Sequence, residues 1–201
     1  MKMTSSQELL LNSITQFYDK RSEDRHTIHQ IVQGNYKISL RVIDWFITHY
    51  SKKKSIILWL DASNGTLVEK PNQLSANIIK FHLYLEYRAQ LKSYTKVFFD
   101  PFRRHARISF LISKKPIQTM ETTIGQLNFF RWIFQHHILE YIEAHLDEIE
   151  EEMAKFQSGK KDGGVMSPPE PEPSKKKKVV RSVIKNIPNT FLQTPCYLRF
   201  D

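Results

Sequence analysis

The apolar positions near the amino terminus recur at helical spacing. Residues 5–18 predict an amphipathic helix with Ser5 or Ser6 as its N-cap. Residues 19–36 are polar and carry the turn signal Gly34-Asn35, so we interpret them as a polar, turn-containing segment. A second apolar stripe predicts a helix over 40–50, which Ser39 opens and which a run of lysines follows.

Three segments between residues 56 and 116 have strand-like patterns. Residues 56–60 form a short apolar run of β-type residues, which predicts a buried strand. Apolar and polar side chains alternate over 78–87, and again over 107–112 before Pro116, which predicts two more strands. Residues 88–98, between these two strands, favour a short helix.

The strongest helical pattern begins after Thr122 or Thr123 and persists for about nine turns, with a predicted break near Tyr141. Its first half is rich in aromatic residues and is expected to lie in the core. Residues 140–155 carry seven acidic side chains and one lysine, a net charge of −6. Together these elements predict an α+β fold, in which a small mixed or antiparallel sheet packs with three or four helices.

The composition changes after residue 156. Residues 157–178 contain glycines and a Pro-Glu repeat that cannot support a core, which predicts a disordered or extended linker. The linker ends in a lysine run, 175–178, which resembles a nuclear-import signal and equally fits a phosphate-binding tether. Residues 179–201 favour two short strands in a C-terminal arm. We therefore expect one globular domain, 1–156, followed by a linker and an arm.

The overall charge favours a polyanionic partner. The net charge is +9 at pH 7, which suits nucleic acid, an anionic membrane surface or an acidic protein. The one cysteine, Cys196, allows no internal disulfide and fits a reducing compartment. No apolar stretch approaches the ~20 residues of a membrane span, so membrane insertion is not expected.

Catalytic motifs are absent from the sequence. The chain has no Walker-type glycine loop, no G-x-S-x-G and no H-E-x-x-H motif, so we expect neither an enzyme nor a cofactor. His136 and His137 are adjacent and point about 100° apart on a helix, which disfavours joint binding of one ion. His137 and His145 lie two turns apart, and we interpret this acidic stretch as a solvated helix face rather than a metal site.

Residues 86–107 combine basic and aromatic side chains. Six lysines and arginines stand against two acidic residues, a net charge of +4. Arginine and lysine neutralise phosphates, and exposed aromatic rings stack on unpaired bases. The alternative is a core with a basic edge, in which Phe98, Phe99 and Phe102 pack inside around an Asp-Pro turn. The candidate nucleic-acid-binding residues are Lys52, Lys53, Lys54, Arg88, Lys92, Arg103, Arg104, Lys175, Lys176, Lys177 and Lys178.

Three segments carry a resemblance when they are taken together. They are residues 37–46 (KISLRVIDWF), 99–104 (FDPFRR) and 122–132 (TTIGQLNFFRW). The set resembles a group of small, largely uncharacterised proteins from nucleocytoplasmic large DNA viruses, over roughly residues 36–150. The resemblance implies a viral context: a virus factory in the host cytoplasm or nucleus, or the virion. It implies no activity and no catalytic residues.

We therefore expect a non-enzymatic viral protein that binds nucleic acid, with DNA favoured over RNA, in late transcription or genome packaging. Such binding is largely independent of base sequence, because it is made to the phosphates, and it should weaken steeply as the salt concentration rises. An affinity that does not change with salt would therefore exclude it. The alternative hypothesis is a structural or interaction protein, such as a minor virion component that contacts other viral proteins. A strictly monomeric protein that is absent from purified virions would count against this alternative.

Overall fold

The structure is a computed structural model, which describes residues 4–63, 65–68, 70–71 and 77–158. Its first helix, α1 (Ser5–Asp19), confirms the predicted helix over 5–18 and extends it by one residue, but its N-cap is Thr4 rather than Ser5 or Ser6. The Thr4 side chain accepts a hydrogen bond from the Gln7 N–H, and the Gln7 side chain accepts one from the Thr4 N–H. This reciprocal pair takes the place of the serine cap.

A second helix, α2 (Ser22–Gln33), occupies most of the segment in which the sequence indicated only polar residues and a turn, so this helix was not predicted. The helix buries only a narrow stripe that includes Ile28 and Ile31, and the rest of its surface is polar. It ends at Gly34, whose φ of +75° is the left-handed conformation that glycine adopts without strain. The predicted turn at Gly34 is therefore the helix C-terminus.

The predicted helix over 40–50 is present and extends to residue 54. Helix α3 (Leu40–Trp45) is capped by the Ser39 hydroxyl, which accepts from the Val42 N–H. A π-helical turn (Phe46–Tyr50) follows, and then α4 (Ser51–Lys54). The whole segment ends at Ser55 in the left-handed conformation, with a φ of +52°.

A three-stranded antiparallel sheet follows, in the order β2-β1-β3. The strands are β1 (Ile57–Asp61), β2 (Leu67–Val68) and β3 (Ile78–His82). The predicted strand over 78–87 is too long, because the chain turns into helix α5 (Leu83–Phe98) after His82. Buried Leu83 and half-buried Tyr87 and Leu91 face the core at helical spacing, and this packing favours the helix.

A second sheet is a two-stranded antiparallel hairpin of β4 (Arg107–Lys114) and β5 (Ile117–Thr123). Strand β4 confirms the predicted strand over 107–112 and continues for two more residues. The sequence did not predict β5, because most of its first five side chains point to solvent.

Three helices replace the single long helix predicted from the periodicity. They are α6 (Ile124–Gln135), capped by Thr123 as predicted, α7 (Ile138–Ala144) and α8 (Leu146–Ser158). The breaks fall at His136-His137 and at His145, not at Tyr141, which lies inside α7. Helix α8 continues two residues into the predicted linker. The remainder of the linker and the C-terminal arm lie outside the described residues.

Helix α6 forms the centre of the core. Every residue from Ile124 to Phe130 is buried. The ring of Phe99 packs edge-on against Phe129 and Trp132, with ring centroids 5.4 and 5.6 Å apart. The α+β fold class is thus confirmed, with α6 placed against α1, α5 and the β4–β5 hairpin.

Candidate nucleic-acid interface

The loop between α5 and β4, residues 99–106, carries Arg103 and Arg104. The Asp100 carboxylate accepts a hydrogen bond from the Phe102 N–H at 2.9 Å, and the Asp100 carbonyl accepts one from the Arg103 N–H at 3.4 Å. This Asx-type turn fixes the loop locally and directs Phe102 outward.

The exposure of Phe102 corrects the interpretation in which Phe98, Phe99 and Phe102 all pack inside. Phe99 is buried and Phe98 is half-buried, as expected of side chains that pack inside. Phe102, however, is 46% exposed. The turn at Asp100 separates the ring from the core, so the aromatic cluster of this segment is divided between the interior and the surface.

The first turns of α6 hold this loop through two buried side-chain amides. The Gln126 Nε2 donates to the Pro101 carbonyl at 2.7 Å, and the Asn128 Nδ2 donates to the Phe98 carbonyl at 2.9 Å. The Gln126 Oε1 in turn accepts from the Thr122 hydroxyl at 2.8 Å. Two of the segments that carry the viral resemblance, 99–104 and 122–132, therefore lie in direct contact.

Gly125 permits the close approach of these two segments. A Cβ atom at this position would lie 2.9 Å from the Val97 carbonyl oxygen and 3.5 Å from the Arg103 Cδ. The Gly125 carbonyl also accepts a hydrogen bond from the Asp100 N–H at 3.3 Å. Any larger residue would therefore clash with the backbone at the end of α5.

A cleft of about 520 Å³ opens between α2, this loop and the β4–β5 hairpin. We call it the arginine cleft, and its polar and aromatic lining includes Arg103, Arg104, Arg107, His29, Phe102 and Glu121. Arg107 pairs with Glu121 at 2.8 Å across the hairpin. Three guanidinium groups against one carboxylate leave a net charge of +2, and within the described residues Arg103 and Arg104 have no acidic partner.

The amino-terminal end of α6 adds to the positive potential of the arginine cleft. Thr122, Thr123 and Gln126 line the cleft, and the Thr123 hydroxyl accepts from the Gln126 N–H at 3.1 Å. Helix N-termini carry partial positive charge, so the helix and the arginines attract anions to the same place. Arg103 also lines a smaller cavity of about 280 Å³ beside Gly125.

Lys53 and Lys54 are placed differently from the arginines. Lys53 pairs with Glu152 at 2.7 Å, and Lys54 pairs with Glu148 at 3.5 Å. The Tyr50 hydroxyl also donates to Glu148, and this hydrogen bond is the main reason that the pKa of Glu148 is lowered. These two predicted site residues thus join α4 to the acidic helix α8, and their charges are compensated within the chain.

Lys52, Arg88 and Lys92 form a separate surface, which we call the α5 ridge. The Lys52 ammonium lies 5.6 Å from the ring centre of Tyr84. Arg88 and Lys92 follow Tyr84 at intervals of four residues on α5 and are exposed. No acidic partner is found for these three cations in the part of the chain that the structure describes. Lys175–Lys178 lie outside that part.

Arg107, His29 and Glu121 were absent from the sequence-based set of site residues. Arg107 had been counted only as part of the basic segment, and Glu121 lies on the strand that was not predicted. In the register of the hairpin, Arg107 of β4 is opposite Thr123 of β5, and Glu121 lies two residues before Thr123 on β5. A correct prediction of β5 would have allowed the ion pair between Arg107 and Glu121 to be predicted. Nothing near His29 in the sequence indicates that it lines the cleft.

Two further features bear on the class of protein. Among residues 4–63, 65–68, 70–71 and 77–158, no group of three or more His, Cys, Asp or Glu side chains is arranged to hold a metal ion. Over the same residues, no helix has the length and apolarity that a membrane crossing requires.

Fold and site together define an α+β protein with an arginine-lined cleft next to a helix N-terminus. Residues 1–179 match the model of DUF7197, a family of unknown function, and the chain belongs to this family. It is also 35% identical over 156 residues to the uncharacterized protein L507 of Acanthamoeba polyphaga mimivirus, which covers 76% of this chain and 55% of the relative.

The chain thus spans little more than half the length of this curated relative. A mimivirus relative supports the viral origin implied by the three sequence segments and is consistent with an uncharacterised protein of a large DNA virus. No solved structure matches the chain.

Proposed function

We propose that this is a non-enzymatic viral protein that binds nucleic acid through the arginine cleft. The observation that carries the proposal is the convergence of Arg103, Arg104 and Arg107 on one concave surface, where two of the three guanidinium groups have no acidic partner among the described residues. Guanidinium groups bind phosphate oxygens in pairs of hydrogen bonds, and the cleft also holds an exposed aromatic ring.

The α5 ridge is a second contact for the phosphate backbone in this proposal. Lys52, Arg88 and Lys92 are exposed and unpaired by acids within the described residues, so they attract a polyanion without fixing its position. Lys53 and Lys54 contribute less, because Glu152 and Glu148 offset their charges. We place the function in late transcription or genome packaging of a virus, in a virus factory or the virion, with DNA as the favoured ligand.

The alternative function, a structural or interaction protein, is motivated by the opposite charges of the acidic helical segment 140–152 and the basic C-terminal arm, which would meet complementary surfaces on other chains or on a second copy of this one. Glu148 and Glu152 of α8, and Glu143 of α7, instead bind lysine and tyrosine side chains of the same chain. Fewer carboxylates therefore remain for a basic partner, which makes nucleic-acid binding the better-supported proposal.

The test is fluorescence anisotropy with labelled duplex DNA, single-stranded DNA and RNA over a salt series. The variant Arg103→Ala/Arg104→Ala removes two unpaired charges from the cleft. The matched control, Lys53→Ala/Lys54→Ala, removes two charges that are already paired. For single-stranded DNA, the cleft variant should reduce the magnitude of the slope of log K against log salt by about 1.4, since each of the two phosphate contacts contributes about 0.7.

The control should change the slope by less than one contact. Equal losses in both variants would show that net charge alone governs binding and would remove the cleft from the proposal. A wild-type protein that binds none of the three ligands at low salt would refute the proposed function.

A further inference from the structure

The shape of the arginine cleft bears on which form of nucleic acid it accepts. Phe102 is 46% exposed, and no other aromatic ring packs on it within the described residues. Its neighbours Arg103 and Arg104 carry the unpaired guanidinium groups. An apolar ring and two cations therefore follow one another along three consecutive residues at one wall of a concave site.

The Phe102 ring is presented by a rigid loop. The Asp100 carboxylate holds its N–H, Pro101 before it is buried, and Gln126 holds the Pro101 carbonyl. The backbone that carries the ring is therefore already held in place before a ligand covers it, which lowers the ordering cost of binding. An exposed phenylalanine that is fixed in this way favours a flat apolar ligand.

The cations of the cleft supply the second half of the recognition. Glu121 neutralises Arg107 at 2.8 Å, so Arg103 and Arg104 are left to bind phosphate beside the ring. A single nucleotide unit offers both groups, a base with two faces and a phosphate on each side. In a duplex the base faces are covered by neighbouring base pairs, and only unpaired bases can stack on an aromatic side chain.

We infer that the arginine cleft binds an unpaired nucleotide of a single strand, with the base stacked on Phe102 and the adjacent phosphates held by Arg103 and Arg104. This inference rests on the proposed function and narrows its ligand. A cleft of about 520 Å³ is of the size that encloses a small ligand, and the base faces of a duplex are covered and cannot stack on Phe102 within it. Duplex nucleic acid can bind only at the rim and the α5 ridge.

The experiment compares Phe102→Ala with the wild-type protein on three labelled probes: oligothymidylate, single-stranded oligouridylate and a DNA hairpin duplex with the same number of phosphates. Base stacking on an aromatic ring corresponds to about fivefold to hundredfold in affinity. We expect Phe102→Ala to weaken binding of the single strands by roughly tenfold and to leave duplex binding within about twofold of the wild type.

Two further variants keep the test specific. Phe102→Tyr retains a stacking ring and should bind the single strands as the wild type does. Ile117→Ala truncates another exposed apolar residue, at the end of the β4–β5 hairpin and 81% exposed, and should have no effect on any probe.

A direct readout of stacking is the fluorescence of Phe102→Trp, measured as the difference from the wild type. Oligothymidylate or oligouridylate should quench the added indole, whereas the duplex should not. The two single-stranded probes distinguish DNA from RNA as the source of the nucleotide.

The outcomes separate the two proposals. Salt-sensitive binding that is equally strong for duplex and single strands, with no effect of Phe102→Ala, would overturn the unpaired-nucleotide inference and leave the proposed function standing. An equal loss on single strands and duplex in Phe102→Ala would also overturn the inference. No binding to any probe would overturn both.

Discussion

Replacing Gln126 with leucine should destabilise the fold, because this side chain joins the arginine loop to α6. Its Nε2 donates to the Pro101 carbonyl at 2.7 Å, and its Oε1 accepts from the Thr122 hydroxyl at 2.8 Å. Gln126 and Thr122 are 8% and 2% exposed, so these hydrogen bonds are largely shielded from water. Leucine has similar bulk but can neither donate nor accept.

The magnitude follows from the two groups that lose their partner. A buried polar group without a hydrogen bond costs about 1–3 kcal/mol, and the Pro101 carbonyl and Thr122 hydroxyl would both be left in this state. Leucine recovers part of the loss through its apolar surface, and the Thr122 hydroxyl can rotate. We therefore expect Gln126→Leu to lower the free energy of unfolding by about 2–4 kcal/mol, out of the ~5–15 kcal/mol typical of a domain.

The assay is urea unfolding followed by tryptophan fluorescence, for which Trp132 on the same helix is a suitable reporter. Gln135→Leu is the matched control: it is the same substitution at an exposed position on the same helix. The control should change the free energy of unfolding by less than about 0.5 kcal/mol. If Gln126→Leu also stays below this value, the amide does not hold the loop and the account of the anchor is wrong.

Three further predictions concern local features of the fold. Gly125→Ala should lower the unfolding free energy by about 1–3 kcal/mol in urea titrations, because the added Cβ would lie 2.9 Å from the Val97 carbonyl; an unchanged midpoint would refute this contact. Ser55→Gly should raise it by roughly 0.5–1 kcal/mol, since the φ of +52° strains any residue with a Cβ, and a loss of stability would contradict the assigned conformation. Hydrogen bonds from Tyr50 and Lys53 lower the pKa values of Glu148 and Glu152 from the ordinary 4.5, so their stabilisation is present above pH 4.5 and is lost as pH falls through the lowered values. Glu148→Gln/Glu152→Gln should therefore be less stable than wild type at pH 7 and approach it as the pH falls below 4.5, and a gap that is independent of pH would refute the assignment.

Local chemistry made several elements predictable from the sequence. Ser39 and Thr123 mark helix starts because their hydroxyls accept backbone hydrogen bonds, and both caps were found in the predicted places. The apolar run of β1 was predictable as a strand because its β-branched and aromatic side chains suit a pleated, buried surface.

The errors arose where a short pattern was ambiguous or where few residues are buried. Phe81, Leu83 and Leu85 alternate like a strand, yet Leu85 is 62% exposed and Leu83 already begins a helix. Helix α2 buries too few apolar side chains to show a clear period. The single long helix was divided at His137, whose φ of +52° is not indicated by any residue type in the sequence.

The candidate site was predictable in its charge and not in its geometry. Arg103 and Arg104 were identified from the basic composition of one segment. The compensation of Lys53 by Glu152, which is 99 residues away in the chain, depends on tertiary packing and left no signal in the sequence. The same holds for His29 in the cleft, since α2 had not been predicted as a helix.

The most direct test of the arginine cleft is photocrosslinking of the protein to an oligonucleotide that carries 4-thiothymidine, followed by mass spectrometry of the linked peptides. Nucleic-acid binding at the cleft predicts crosslinks within residues 99–107, and their loss in Arg103→Ala/Arg104→Ala but not in Lys53→Ala/Lys54→Ala. Crosslinks that map elsewhere on the protein and are unchanged by the arginine substitutions would contradict the central claim.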